Sequence, residues 1–153
     1  MKEHPDNYDA ELLLRLYELR REAKLRQARA WFTQEFQAKS MEEFAAQCPP
    51  GSEHNTFFRM TVSYWEMAAS IVNHGLIKEE LFFENSGEFW ITWDKVRNLA
   101  PAFRQQNKNP MAWKNLETLA EKYEQWMSKR APEALDALRQ RMQASTAKKP
   151  SAS

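Results

Sequence analysis

Residues 52–75 read SEHNTFFRMTVSYWEMAASIVNHG. Large apolar side chains recur in this stretch at alternating steps of four and three residues, which is the period of an amphipathic α-helix. The members of this apolar line are Phe58, Val62, Trp65, Ala69 and Val72. Ser52 is a residue type that caps helix starts, and Gly75 is the type that commonly follows helix ends. The spacing therefore predicts one long, largely buried helix that ends near His74.

Helical spacing extends over most of the chain, and strand-like alternation is nearly absent. Three glycines in 153 residues are too few for the tight turns of a β-sandwich or barrel. We therefore predict an all-α fold, a bundle of six or seven helices in a single domain at residues 9–144. Residues 1–8 are predicted to be an N-terminal tail, residues 47–52 a linker and residues 145–153 a disordered tail.

Residues 9–38 are predicted to form one long first helix, capped by Asp9. Such a helix is about 45 Å long, which exceeds what a compact domain of this size needs. It carries two apolar lines on different sides, one with Leu12, Leu16 and Leu19 and the other with Leu14, Tyr17 and Leu25. Because the domain core needs one line, the other is available to a protein partner or a second copy. We therefore assign partner binding or self-association to residues 10–36.

Composition and charge exclude several classes of protein. Hydrophobic residues make up 42% of the chain and its net charge is +1, so the chain is neither disordered nor drawn by charge to an anionic membrane. No run approaches the ~20 apolar residues that cross a bilayer. Cys48 is the only cysteine, which rules out an internal disulfide bond. We expect a cytoplasmic protein that needs no cofactor.

The predicted central helix also carries a polar line. It steps by four and three residues through Arg59, Ser63, Glu66, Ser70 and Asn73. If this line faces the interior, Glu66 needs a partner, because an unpaired buried charge is strongly destabilising. Arg97 and Arg104 lie seven residues apart on one face of a later helix, and we expect Glu66 to pair with Arg104.

An aromatic cluster brackets one turn later in the chain. Its members are Phe82, Phe83, Phe89, Trp90 and Trp93. Such a cluster either packs a core or lines a ligand cavity, and core packing is the more common case. Trp90 lies off the Phe89–Trp93 line and is the member expected at the surface. The enzyme or ligand-binder hypothesis therefore rests on Glu66, Trp93, Arg97 and Arg104.

The sequence gives little support for a metal site or for a nucleophilic catalytic residue. His74 is followed by Glu79, Glu80 and Glu84, but the spacing matches no known zinc pattern, and Gly75 separates the histidine from the acids. Cys48 precedes two prolines and has no histidine near it in sequence. We assign no metal ligands and no catalytic residues, and keep His74 and Trp90 only as members of a candidate polar site.

Nucleic-acid binding is the remaining alternative. Residues 95–153 hold twelve bases against five acids, whereas residues 78–94 have one base against five acids. The bases of the C-terminal third alternate with glutamates, as on a solvated helix face. Trp113 and Trp126 lie on or beside an apolar line, so we expect them to pack in the core. The pattern argues against nucleic acid as a partner.

Several short segments resemble a known family. They are residues 64–68 (YWEMA), residues 73–81 (NHGLIKEEL), Arg104, residues 109–110 (NP) and residues 117–120 (ETLA). In this order they are similar to an uncharacterised bacterial family of small helical domains, a domain of unknown function. Members of that family often carry a transmembrane helix before the domain, whereas the first helix here is too charged to span a membrane. The resemblance implies an all-helical fold and no particular chemistry.

Overall fold

The computed structural model of the chain describes residues 3–148, and side chains as far as residue 146. Over these residues the fold is all-helical, as predicted, with nine helices in place of six or seven. They are α1 (Asn7–Arg20), α2 (Ala23–Glu35), α3 (Met41–Gln47), α4 (Glu53–Asn73), α5 (Glu79–Asn85), α6 (Glu88–Val96), α7 (Ala100–Gln106), α8 (Lys114–Arg130) and α9 (Ala134–Lys148).

The predicted long first helix is wrong, because the chain breaks between α1 and α2. Asp6 caps α1 in place of Asp9, accepting hydrogen bonds from the backbone N–H groups of Tyr8 and Asp9. After α1 ends, the Glu22 carboxylate accepts from the backbone N–H groups two and three residues ahead and starts α2. A side-chain cap satisfies N–H groups that a continuous helix would pair internally, so it supports a new start here.

Helix α4 lies at the centre of the molecule, as its apolar spacing predicts. It packs against α2 on one side and α8 on the other. The core clusters around it and includes buried rings from five helices, among them Phe32, Phe58, Trp65 and Phe89. Ser52 caps α4 by accepting from the backbone N–H of Asn55, and Gly75 follows its end at φ +80°. Both end signals that were read from the sequence are confirmed.

Proline and tryptophan set the remaining boundaries. Pro101 stands in the first turn of α7, so the chain restarts there after α6 ends at Val96. Helix α8 begins only at Lys114, because Trp113 takes left-handed backbone angles with φ +61°. Its ring stacks on Phe103 with 4.0 Å between centroids, and this packing holds a conformation that interrupts a helix.

The C-terminal helix α9 extends further than expected. Residues 145–148, which were predicted to begin a disordered tail, continue α9 to Lys148. The rest of that predicted tail, residues 149–153, and residues 1–2 of the N-terminal tail lie outside the described residues. Within residues 3–148, no helix combines the length and apolar character needed to cross a bilayer.

Candidate functional site

Helix α1 presents large apolar side chains to solvent. Leu14 is 62% exposed and Tyr17 is 46% exposed, and their three-residue spacing places them side by side on the helix. A shallow groove of about 240 Å³ runs beside them, between α1, α4 and α5. We call Leu14, Tyr17 and this groove the α1 surface. Tyr8 and Leu19 are also exposed, but they lie on the other flank of the helix.

The α1 surface rests on a helix that is fixed to the core near both ends. Near its C-terminal end, the Tyr64 hydroxyl of α4 donates a hydrogen bond to the backbone carbonyl of Leu16. Near its start, the fully buried Asp9 accepts from the backbone N–H of Lys78 at 2.6 Å, where α5 begins. Burial raises the pKa of Tyr64 to about 12, so its hydroxyl stays a donor at neutral pH. The exposed apolar side chains therefore sit on a fixed support.

Charge is distributed unevenly along the α1 surface. Glu11 lies near the start of the helix, whereas Arg20 and Arg21 lie at its end. The guanidinium carbons of Arg20 and Arg21 lie 4.8 Å and 5.5 Å from the centroid of the Tyr17 ring. These distances are within the range of cation–π attraction. The surface thus has an apolar middle and a basic, aromatic end, and the exposed Arg15 and Glu18 lie between Glu11 and that end.

Glu66 was expected to pair with Arg104, and this expectation is wrong. Its carboxylate instead accepts from the side-chain amide of Asn115 and from the backbone N–H of Leu116, both at 2.9 Å. Leu116 lies in the first turn of α8, whose N-cap, Trp113, provides no side-chain cap. Asn73, another member of the polar line, donates to Asn115 at 3.1 Å. The polar line therefore joins α4 to the start of α8.

The two arginines proposed for the same site serve different contacts. Arg104 donates to the backbone carbonyl of Ala112 at 2.8 Å and lies 3.5 Å from Glu117. Arg97 contacts Asp94 at 3.1 Å and also pairs with Glu124. Because Glu66, Arg97 and Arg104 each have separate partners, the structure does not bring them together into one catalytic or ligand site.

The aromatic cluster at residues 82–93 packs the core. Phe83 and Phe89 each contact Tyr123 of α8, with centroids 5.2 Å and 5.1 Å apart, and Trp93 is buried. Trp90, which was expected at the surface, is 1% exposed. Its indole N–H donates to Glu124 at 2.9 Å, and this satisfied donor allows the ring to be buried off the main apolar line.

Histidine and cysteine provide no reactive centre within the described residues. His74 is exposed at the end of α4, and its Nδ1 lies 2.8 Å from the backbone carbonyl of Ser70. Cys48 is fully buried, and burial raises its pKa to about 11, so the nucleophilic thiolate is disfavoured. Residues 3–148 hold no group of three or more His, Cys, Asp or Glu arranged to hold a metal ion.

Several bases of the C-terminal third form ion pairs with acids. Lys122 of α8 lies 3.5 Å from Glu79, and Arg139 of α9 binds Asp94 with two hydrogen bonds. Trp113 is buried, and Trp126 packs against Phe83 with centroids 5.4 Å apart. Neither tryptophan forms an open stacking platform, which is what a single-stranded nucleic acid would need.

Sequence reasoning missed two groups of functional or structural interest. Glu88 binds Arg29 of α2 at 2.6 Å and also accepts from the Trp65 indole at 3.1 Å. A second group joins Asp94 and Lys95 of α6 to Arg139 of α9 and to the backbone after α2. The contacting residues of these groups are 23 to 59 residues apart in the chain, so no local spacing signals either group.

Comparison with known proteins identifies one relationship. A family model described as "Domain of unknown function (DUF4760)" matches residues 7–123, which confirms the resemblance seen in the sequence. The match begins at the first residue of α1 and ends within α8. No curated protein and no solved structure matches the chain.

Proposed function

Because the chain belongs to the DUF4760 family, whose description states no activity, we propose a function from geometry: a non-enzymatic helical interaction module that pairs with a second copy through its α1 surface. The exposed apolar pair Leu14 and Tyr17, beside its groove, carries this proposal. Large apolar side chains clustered at a groove mark interaction sites more often than scattered exposed ones do. Sequence reasoning assigned this role to residues 10–36, and the geometry supports the α1 part of that range.

Helix α2 does not belong to the proposed surface. Its apolar side chains Leu25, Ala28, Trp31 and Phe32 are all buried in the core of the same chain. They are therefore not available to a partner without unfolding. The interface that we propose is accordingly limited to α1 and to the groove beside it.

The charge pattern of α1 favours an antiparallel second copy. In that arrangement Leu14 of one copy lies opposite Tyr17 of the other, and Glu11 lies near Arg20 or Arg21 of the other copy. The two helix dipoles also oppose each other, which is favourable for neighbouring helices. A two-fold pair of this kind buries the same patch on both copies, and two-fold dimers are the commonest protein oligomers.

The test is the oligomeric state of a double variant, Leu14→Gln with Tyr17→Gln. Glutamine is polar, uncharged and a good helix former, so the variant removes apolar contact while preserving α1. The matched control is Met111→Gln, since Met111 is 65% exposed and lies outside the proposed surface. Sedimentation velocity over a range of concentrations should show a dimer for the parent chain and the control, and a monomer for the double variant. A monomeric parent chain, or an unchanged dimer in the double variant, would refute the proposal.

Point variants are preferable to removal of the N-terminal region. Deleting every residue before Ser40 would remove the buried side chains of α2 along with α1. Loss of large core side chains costs several kcal/mol each, so such a chain would report on unfolding and not on assembly. Far-UV circular dichroism of each point variant, compared with the parent chain, shows whether a loss of assembly reflects unfolding.

We also propose that the module works in a reducing, cytoplasmic compartment. The support for this is that its single cysteine, Cys48, is buried and forms no disulfide bond in the chain. Non-enzymatic function is supported by the separation of Glu66, Trp93, Arg97 and Arg104 into different contacts. Self-pairing would also suit an accessory role in a larger assembly. A dimer presents two copies of each remaining surface, so it can contact two partner molecules at once.

A further inference from the structure

A second cavity lies on a different side of the molecule from the α1 surface. It is formed by α6, by α9 and by the extended backbone between α2 and α3, and its volume is about 590 Å³. Small-molecule sites commonly have volumes of 300–1,000 Å³ and occur between helices of bundles. The cavity thus has the size and the setting of a ligand site.

The inner wall of the cavity is mainly apolar. Phe36 and Ala38 contribute from the α2–α3 connection, Ile91 from α6 and Met142 from α9. Phe36 and Ala38 are buried, whereas Ile91 and Met142 are half-buried. A ligand with an apolar body would therefore cover surface that is now partly open to water, which is favourable.

The charged residues that line the cavity are predominantly cationic. They comprise Lys39, Lys95, Arg97 and Arg139 against a single acid, Asp94. Asp94 is already bound by two hydrogen bonds from Arg139 at 2.9 Å and 3.0 Å, and it lies 3.1 Å from Arg97. Its negative charge is therefore compensated within the protein. Because Arg97 and Arg139 also pair with Glu124 and Asp136, the excess positive charge of the cavity rests on Lys39 and Lys95.

Among the half-buried cations of this wall, Lys95 has the fewest polar partners. Its ammonium donates one hydrogen bond, to the backbone carbonyl of Phe36 at 2.7 Å. An ammonium has three N–H donors, and no carboxylate of the described residues forms an ion pair with this one. Burial lowers the pKa of Lys95 to about 8, so its charged form would gain from an added anion.

We propose that this cavity binds a small organic carboxylate with an apolar body, with the carboxylate on Lys95 and the body against Ile91 and Met142. One ammonium beside an apolar wall suits a single carboxylate on a chain or ring. A phosphate, by contrast, is usually held by several donors together. The proposal is independent of self-pairing through α1, since the two sites share no residue.

The experiment uses octanoate as the probe and 1-octanol as its uncharged analogue. Methyl NMR of ¹³C-methyl methionine and isoleucine in the full chain locates each probe. We expect octanoate to shift the methyl signals of Ile91 and Met142, which line the cavity. The exposed methionines Met67 and Met111 lie outside the cavity and report non-specific binding. Shifts at these two alone would overturn the proposal.

Variants separate the carboxylate contact from apolar burial. Lys95→Met should weaken octanoate binding about tenfold or more, as expected for loss of a charge-assisted hydrogen bond, and leave 1-octanol binding essentially unchanged. Lys95→Arg keeps the charge and should bind octanoate within a few-fold of the parent chain. An equal effect of Lys95→Met on both probes would refute the role of the ammonium.

A second variant acts from the opposite wall and does not depend on Lys95. Met142→Trp should narrow the cavity beside Ile91 and weaken binding of both probes, whereas unchanged binding would overturn the assigned location. Thermal melting of each variant confirms that it is folded. Repeating the titration in the Leu14→Gln, Tyr17→Gln variant separates the two proposals, because loss of pairing there should leave octanoate binding intact.

Discussion

Glu66 caps a helix to which it does not belong. Helix α8 starts after a left-handed Trp113 and has no side-chain cap of its own, so its first backbone N–H groups need outside acceptors. The Glu66 carboxylate accepts from one of them, at Leu116, and also from the Asn115 side chain. Its negative charge lies at the positive end of the helix dipole, which adds to the effect.

Replacement of Glu66 should therefore destabilise the fold. Glu66→Leu leaves the Leu116 N–H and the Asn115 amide without this acceptor, and we expect it to lower the free energy of unfolding by about 2–3 kcal/mol. Glu66→Gln retains one oxygen acceptor and should cost roughly half as much. Urea unfolding measures both. Glu121→Gln, at an exposed position of α8, is the control, and equal stability of Glu66→Leu and the control would contradict the capping role.

Lys95 makes stability depend on pH in a definite direction. Burial lowers its pKa in the folded chain to about 8 from 10.5, so between these values the unfolded chain binds the proton more tightly. The contribution of Lys95 to the free energy of unfolding therefore rises as the pH increases from about 8 to 10.5. Below about pH 8 the destabilising effect of the buried ammonium is complete.

The pH effect can be isolated by comparing the parent chain with Lys95→Met. From about pH 7 to about pH 9.5, the stability of the parent chain relative to the variant should increase by about 1–2 kcal/mol. Cys48 and Tyr64 have raised pKa values and act in the opposite direction, but they are present in both proteins and cancel. Urea unfolding at several pH values provides the measurement, and a constant difference would show that Lys95 titrates normally.

Among the elements, α9 is the helix most dependent on ion pairing. Its first part is linked to α6 by the two hydrogen bonds between Arg139 and Asp94, and the Arg139 guanidinium carbon lies 5.3 Å from the centroid of the Trp90 ring. None of the described residues of α9 is buried. Helix α9 is therefore held by less apolar burial than α4 or α8, so each polar contact contributes a larger share of its stability.

Arg139→Ala should loosen α9 without unfolding the core. We expect a loss of roughly 1 kcal/mol, since Arg139 is partly exposed and such pairs are screened by solvent. Native-state hydrogen exchange should be faster for the α9 amides and unchanged for those of α8. Arg141→Ala, at an exposed position of the same helix, should have little effect. Equal acceleration in α8 and α9 would mean that the two helices open as one unit.

The accuracy of sequence reasoning depended on whether a feature was local. Ser52 and Gly75 marked helix ends correctly because capping acts over a few residues. The sequence did not predict the break at Arg21. The Glu22 carboxylate can cap a new helix, or the first helix can continue, and residue spacing does not distinguish these two outcomes. The Glu66–Arg104 pair was wrong because several arginines were compatible with it, and the actual partner includes a backbone N–H that no side-chain pattern encodes.

Across the whole molecule, the uneven charge of the sequence is largely compensated within one chain. The acidic segment at residues 78–94 meets the basic C-terminal third through Glu79 with Lys122 and through Asp94 with Arg139. Buried and half-buried acids on the core side are also paired, as Glu88 is with Arg29. Glu11 near the start of α1 and Arg20 and Arg21 at its end are therefore candidates for pairing between copies.

Charge reversal on α1 tests the antiparallel arrangement itself. Glu11→Arg should weaken dimerisation, because an antiparallel partner sets its basic helix end against the new arginine. Adding Arg20→Glu to the same chain should restore pairing, since position 20 is the one that stands opposite position 11 of the other copy when Leu14 faces Tyr17. Exposed pairs of this kind contribute about 0.2–1 kcal/mol each, and each occurs twice in a two-fold dimer, so dissociation constants should change by several-fold. The effect should fade at high salt, where exposed charges are screened. In a parallel pair, position 11 of one copy would face position 11 of the other, so the single reversal would have little effect and the double variant would rescue nothing.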